Sequence, residues 1–302
     1  MIYSQTFSTD LLHTLKKEDV SYMLSLHYLS ALSISRYLKK DDEFILITDT
    51  KGKELIGDAF PYTKVVNALD DYPYIRPFKM SAYKLYSVEL FKNKDFVHFD
   101  NDVYLFKPIP TFEDTLVQSN EGYFVRYIYC NKIKHFDYIL PEYTKDMRNN
   151  YNPGVFGFTK DSIVREEYFN TFLEYSHKNI RKYAAMSEGL QKEFFLLNFQ
   201  DVYLVLEEAL LHYLCEKNKV PVTEVIPDKY ENHPGVWGVF YKKKYRDINW
   251  DDIIEISHHS WRKHEYCHLV SQKNDKNTHV QEVMLEIYKE NKNTVNTFLE
   301  WI

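Results

Sequence analysis

A chain of 302 residues is long enough to bury a full core, in one large domain or two small ones. Apolar residues at 44% and charged residues at 27% match an ordinary water-soluble globular protein. A formal net charge of -6 argues against general nucleic-acid binding, which needs a basic face to displace counterions.

The predicted elements follow in chain order. Ile2 to Phe7 reads as a short strand. Val20 to Tyr37 places Met23, Leu24, Leu26, Leu29, Leu32 and Ile34 at helical spacing, and Lys39-Lys40-Asp41-Asp42 ends that helix. Glu43 to Thr48 is the compact apolar run of a buried parallel strand. Asp49-Thr50-Lys51-Gly52 reads as a turn before a short helix, and Val65-Val66 as another strand. Lys79 to Phe91 is helical, and Asp95 to Asp100 is a strand that ends on acid. This alternation predicts an α/β domain with a largely parallel sheet, whose ligands sit beyond the carboxyl ends of the strands. Farther on, Tyr123 to Tyr129 reads as a strand, and Asn152 to Phe158 as a turn leading into one. Helices are expected near 162–182 and 199–217, a strand at Val222 to Ile226, and an amphipathic helix from Thr278 to Trp301. No internal repeat or clear linker intervenes. The expected organisation is one domain over 1–270, with a helical C-terminal extension over 271–302 packed on it.

Several features narrow the chemistry. Only 8 glycines argue against a glycine-rich nucleotide loop. Cys130, Cys215 and Cys267 form neither a disulfide framework nor a Cys-x-x-Cys pair, as expected of reduced thiols in the cytoplasm. Met1 to Val20 lacks the apolar core of a secretory signal. No apolar run reaches the roughly 18 residues of a spanning helix, so any membrane contact would be peripheral.

The most informative segment is Asp100-Asn101-Asp102, directly after Phe96-Val97-His98-Phe99. In extended backbone, carboxylates two residues apart face the same way. At a strand end they can share one hard cation, which in turn takes phosphate oxygens. Such a cation neutralises the charge on a departing nucleotide diphosphate. An isolated Asp-x-Asp occurs by chance about once in a chain this long, so its context decides. Here an apolar strand precedes it, and Val103-Tyr104-Leu105-Phe106 with Lys107-Pro108 follows. The alternative is a pair of solvated turn acids.

The segment FVHFDNDVYLFKPIP resembles the acidic-motif segment of GT-A glycosyltransferases. EFILITDTKGKEL resembles the second strand and following turn of bacterial members, and Asn152-Pro153-Gly154 their Asn-x-Gly acceptor-side segment. These marks span roughly residues 1–265. The resemblance implies a GT-A type, Rossmann-like mixed sheet, mainly parallel and flanked by helices, with looser similarity to the glycogenin-like group. It also implies an enzyme that moves a sugar from a nucleotide diphosphate donor, a UDP-sugar first, to a glycan or lipid-linked acceptor. Surface polysaccharide synthesis is the setting that class implies.

Residue by residue, the resemblance makes Asp100 and Asp102 metal ligands and Asn101 a donor contact. Ser4 and Gln5, on the first strand, become contacts of the nucleoside. Lys84, ahead of Lys79 as a choice, faces the donor phosphates, while Asn152 and Gly154 serve the acceptor. Glu207 and Glu208 stand where glycogenin-like enzymes carry Asp-Gln, so Glu207 is a candidate base; two solvated helix acids is the other reading. The departure at Glu208 leaves retention or inversion open. A C-terminal histidine, His259 in preference to His258, is the implied third ligand, with Lys263 or Arg262 on phosphate. The family's His-x-x-Gly-x-x-Lys pattern is not reproduced here, since Trp261 and His264 take its last two places. An imidazole in the set favours Mn²⁺ over Mg²⁺.

Three other readings stay open. The cluster His258, His259, His264, Cys267 and His268 could hold zinc, although its spacing matches no standard site. The basic run Lys242-Lys243-Lys244 could meet an anionic lipid, or be a solvated loop. In place of a glycosyltransferase, the chain could be a sugar nucleotidyltransferase or a non-catalytic binding protein on the same scaffold. The first normally needs a glycine-rich N-terminal loop, and Met1 to Asp10 contains no glycine.

Overall fold

The computed structural model describes residues 1–9, 12, 17–70, 79–105, 108–120, 151–184, 207–225 and 266–268. In chain order the elements are β1 (Ile2–Phe7), α1 (Lys17–Ser35), β2 (Glu43–Thr48), α2 (Thr50–Ile56), β3 (Lys64–Asn67), α3 (Lys79–Leu90), β4 (Phe96–Phe99), β5 (Val103–Leu105), β6 (Thr115–Asn120), β7 (Tyr151–Phe158), α4 (Ile163–Ala184), α5 (207–218), β8 (Val222–Glu224) and β9 (Tyr266–His268). The fold is mixed α/β, with a mainly parallel sheet flanked by helices. Two compact units emerge: Met1–Tyr72, Val97–Ile109 and Asn249–Ile302 in the first, Pro73–Phe96 and Pro110–Ile248 in the second.

In the first unit the strands lie in the order β3-β2-β1-β4. β1 pairs in parallel with β2, from Ile2 opposite Glu43 to Phe7 opposite Thr48. β2 pairs in parallel with β3, from Ile45 opposite Lys64 to Thr48 opposite Asn67. Phe44 to Thr48 is buried throughout, as a strand covered on both faces must be. The chain steps outward from β1 to β2 and β3, then returns to β4 on the other side of β1. That reversal makes a topological switch point between β1 and β4.

α1 is almost wholly buried from Leu26 to Ile34, yet it carries Ser30 and Ser33 one turn apart. These serines treat β5 as a neighbouring strand would. Ser30 Oγ donates to the Val103 carbonyl at 2.6 Å, and Ser33 Oγ accepts from the Leu105 amide at 3.1 Å. In its strand ladder β5 pairs antiparallel with β9, Tyr104 facing Cys267. Both of its edges are thereby satisfied, as buried backbone requires.

The turn expected at Asp49-Gly52 is instead the start of α2. Asp49 is the N-cap, and its Oδ1 accepts the Gly52 amide at 2.7 Å. Gly52 is needed there for space. A Cβ would collide with Thr48 Oγ1, and moving that oxygen aside would break its 2.7 Å bond to the Phe7 carbonyl. Gly52→Ala should cost about 2 kcal/mol, the range seen for overpacked cores. Urea unfolding would show this as a lower midpoint at unchanged slope.

In the second unit the order is β7-β6-β8. β6, which the sequence patterning had not revealed, pairs antiparallel with β7 and parallel with β8. Asn152-Pro153-Gly154, expected as a turn, lies within β7 and is buried. The register explains how a proline fits. Val117 faces Phe156 and Ser119 faces Asn152, so β7 carries extra residues at an irregularity where no ladder N–H is required of Pro153. The turn signal survives locally, because Asn152 Oδ1 accepts the Gly154 amide at 2.8 Å.

The core of this unit is aromatic. Phe96 packs on Phe156 and Phe158 with ring centroids 6.0 and 5.9 Å apart, and Phe158 on Tyr168 at 6.1 Å. Cys215, on α5, is a free buried thiol, pushed by that burial up to about 12. It therefore stays protonated and poorly nucleophilic at neutral pH. Among the described residues, no helix is long and apolar enough to cross a membrane. The strand expected at 123–129 and the helix expected at 278–301 lie outside the described residues.

Candidate active site

The sequence-derived candidates fall into two clusters, one in each unit. In the first unit, the acidic pair leaves the end of β4 beside β1. Side-chain contacts between these two strands advance together. Ser4 Oγ meets His98 Nδ1 at 3.1 Å, Gln5 Nε2 donates to the Asp100 carbonyl at 3.2 Å, and Asn101 Nδ2 donates to the Thr6 carbonyl at 2.8 Å. The strands thus run the same way, and Asp100-Asn101-Asp102 lies at the carboxyl side of the switch point, where open α/β sheets bind ligands.

Asp100 is half-buried and Asp102 only 2% exposed. A carboxylate that deep must be offset by hydrogen bonds or positive charge. The backbone between them is tightly held: the Val103 amide closes a turn on the Asp100 carbonyl at 3.2 Å, and Ser30 Oγ holds the Val103 carbonyl. Since a carbonyl only accepts, the Thr6 contact fixes which end of the Asn101 amide is nitrogen. Asn101 Oδ1 then points away from Thr6, buried and without a hydrogen-bond partner among the described residues, as is Thr6 Oγ1. Two carboxylates are hard oxygen donors of the kind Mg²⁺ and Mn²⁺ take. Among the described residues no group of three or more acidic, His or Cys ligands converges. His258, His259 and Lys263 lie outside the described residues.

Ser4 and Gln5, expected to touch the nucleoside, have no exposed surface. Both are committed inside the unit. Gln5 Nε2 donates to Ser30 Oγ at 2.8 Å as well as to Asp100, and Gln5 Oε1 accepts from Tyr62 at 2.7 Å. The Tyr62 phenol, pushed well above its ordinary value by burial, keeps that proton. Its oxygen lies 2.6 Å from His27 Nε2, which must therefore be the donor, a tautomer fixed by the direction of the chain of bonds. Sequence reading missed Ser30, Thr6 and Tyr62. The available signal was the polar residues His27, Ser30 and Ser33, spaced one turn apart in the apolar stretch of α1.

The second cluster joins residues from α3, β7 and α5. Lys84, 9% exposed, forms an ion pair with Glu207 and donates to the Pro153 carbonyl at 3.1 Å. Tyr168 donates its hydroxyl to the Glu207 carbonyl at 2.7 Å. That phenol is held well above its ordinary range by burial first, and by Glu207. Glu208 is buried one residue on, and His212, one turn later, packs its ring 4.8 Å from that of Tyr151. Neither glutamate is the solvated helix acid of the other reading. Lys84, Asn152, Gly154 and Glu207 are thus brought together, with Lys84 directed at Glu207.

No curated protein matches this sequence. Solved structures similar in backbone include mouse xyloside xylosyltransferase 1 in its apo form, 9% identical over 74% of this chain and 85% of that one, with a TM-score of 0.39. The glycosyltransferase GlyE of Streptococcus pneumoniae TIGR4 is 11% identical over 99% of this chain and 63% of its own, TM-score 0.44. The apo form of the bifunctional glycosyltransferase WbbM is 13% identical over 96% of this chain, TM-score 0.46, and this chain spans 51% of its length. A sequence model of one family matches residues 1–300, nearly the whole chain, and by that match the protein belongs to DUF6734, a family of unknown function.

Proposed function

We propose that this protein is a metal-dependent glycosyltransferase that moves a sugar from a nucleotide diphosphate donor to a glycan or glycolipid acceptor. A UDP-sugar is the first donor to test, and surface polysaccharide synthesis at the cytoplasmic face of a membrane is the setting. The observation that carries the reading is the acidic pair at the carboxyl end of β4, beside the β1/β4 switch point, with Asp102 almost fully buried.

In this reading Asp100 and Asp102 hold Mn²⁺ or Mg²⁺, with His259 as a third ligand, and Asn101 and Lys263 serve the donor. A divalent cation bound there offsets the charge that develops on the departing diphosphate. Glu207 is the base, with Glu208 beside it. Its carboxylate accepts the proton of an acceptor hydroxyl. Lys84 holds that carboxylate in place rather than lying free for phosphate. Asn152 and Gly154 shape the acceptor side, where the Gly154 backbone allows close approach.

Calorimetric titration of UDP, GDP and CDP, with and without Mn²⁺, tests the reading. Tight binding of one nucleotide that requires Mn²⁺ supports it and names the base. Folded protein that binds none of the three with metal present overturns it.

A further inference from the structure

We infer that Gln5 is a positioning residue for the acidic pair: from inside the core, its amide nitrogen sets the backbone that carries Asp100 and Asp102. This rests on the metal-site reading above. A glutamine with no exposed surface in a buried strand is costly unless each polar group is paired. Here the pairing is complete and directional. The two Nε2 hydrogens go to Ser30 Oγ and the Asp100 carbonyl, and Oε1 takes the Tyr62 hydroxyl. Ser30, having accepted from Gln5, donates to the Val103 carbonyl.

Gln5 therefore grips the acidic turn at both ends, directly at Asp100 and through Ser30 at Val103. Asn101 grips its middle at the Thr6 carbonyl. The contact joins residues 95 positions apart. Residues that orient metal ligands from behind typically change metal affinity by about 10- to 100-fold when removed. Gln5 acts through main chain, so the lower end of that range applies.

The test uses Mn²⁺ alone, with free aqueous Mn²⁺ counted by electron paramagnetic resonance well below each variant's melting temperature. Gln5→Met, close in shape but without donors, should weaken Mn²⁺ binding about tenfold. Ser30→Ala, which removes the relay to Val103 and keeps most of the packing, should shift it in the same direction and stands in if Gln5→Met does not fold. Tyr62→Phe removes a hydrogen bond from the same network but leaves both Gln5 N–H bonds, so it should lower the melting temperature with affinity within about twofold of wild type. A merely structural role predicts instead that all three variants change affinity alike. Equal weakening by Tyr62→Phe, or unchanged affinity in Gln5→Met and Ser30→Ala, overturns the inference while the metal reading stands. Wild-type protein that binds no Mn²⁺ overturns both.

Discussion

Asp102→Asn should weaken Mn²⁺-dependent nucleotide binding by about 100-fold or more, roughly 2.7 kcal/mol, and leave the metal-free affinity unchanged. The substitution keeps shape and packing and removes only charge. Its size follows from depth. Asp102 is 2% exposed, so its field is weakly screened, whereas half-buried Asp100 shares its field with solvent. Asp100→Asn should accordingly cost less, about tenfold, on the same screening argument. Calorimetry on both variants beside wild type, with circular dichroism to establish folding, measures the order. An Asp102→Asn protein that binds nucleotide and Mn²⁺ as wild type does would remove Asp102 from the site.

Lys84→Met should be the most destabilising single change in the second unit, at about 3–5 kcal/mol. The side chains of Lys84 and Glu207 are 11% and 4% exposed, so removing the ammonium takes the Lys84 ion pair away from a buried carboxylate. It also leaves the Pro153 carbonyl without its 3.1 Å donor. For a chain of this size that loss corresponds to a fall in melting temperature of about 5–8 °C. Glu207→Gln should cost much less, about 1–2 kcal/mol, because the amide oxygen still accepts from Lys84. Replacing both, as Lys84→Met with Glu207→Leu, should recover most of the stability, since a buried ion pair is often no stronger than well-packed apolar side chains. Activity should not return with it if Glu207 is the base. Thermal melts of wild type, Lys84→Met, Glu207→Leu and the double variant form the cycle, and a Lys84→Met protein that melts within about 2 °C of wild type would mean the pair is solvated.

The apolar runs of β2 and β4 and the helical spacing of α1 and α3 are local patterns. Burial imposes them directly on the residues, so the sequence alone determined an α/β fold with helices between strands. The acidic pair was legible for the same reason: a strand as apolar as Phe96–Phe99 that ends on two carboxylates must emerge somewhere polar. Other elements depended on partners the sequence does not name. Asp49-Gly52 became a helix start because Asp49 caps it and Thr48 leaves no room for a Cβ. Asn152-Pro153-Gly154 stayed in a strand because β6 opposes it with an irregular register.

The roles of single polar residues were decided by tertiary structure throughout. Ser4 and Gln5 have the residue types of ligand contacts, but the strands around them close off every path to solvent, and their hydrogen bonds turn inward. Lys84 has the look of a phosphate lysine, and the fold sets it on Glu207. Hydrophobic burial is additive and local enough to be read from spacing. A hydrogen bond or ion pair requires two groups to meet within about 3 Å at a defined angle, and for residues far apart in the chain only the folded backbone sets that meeting.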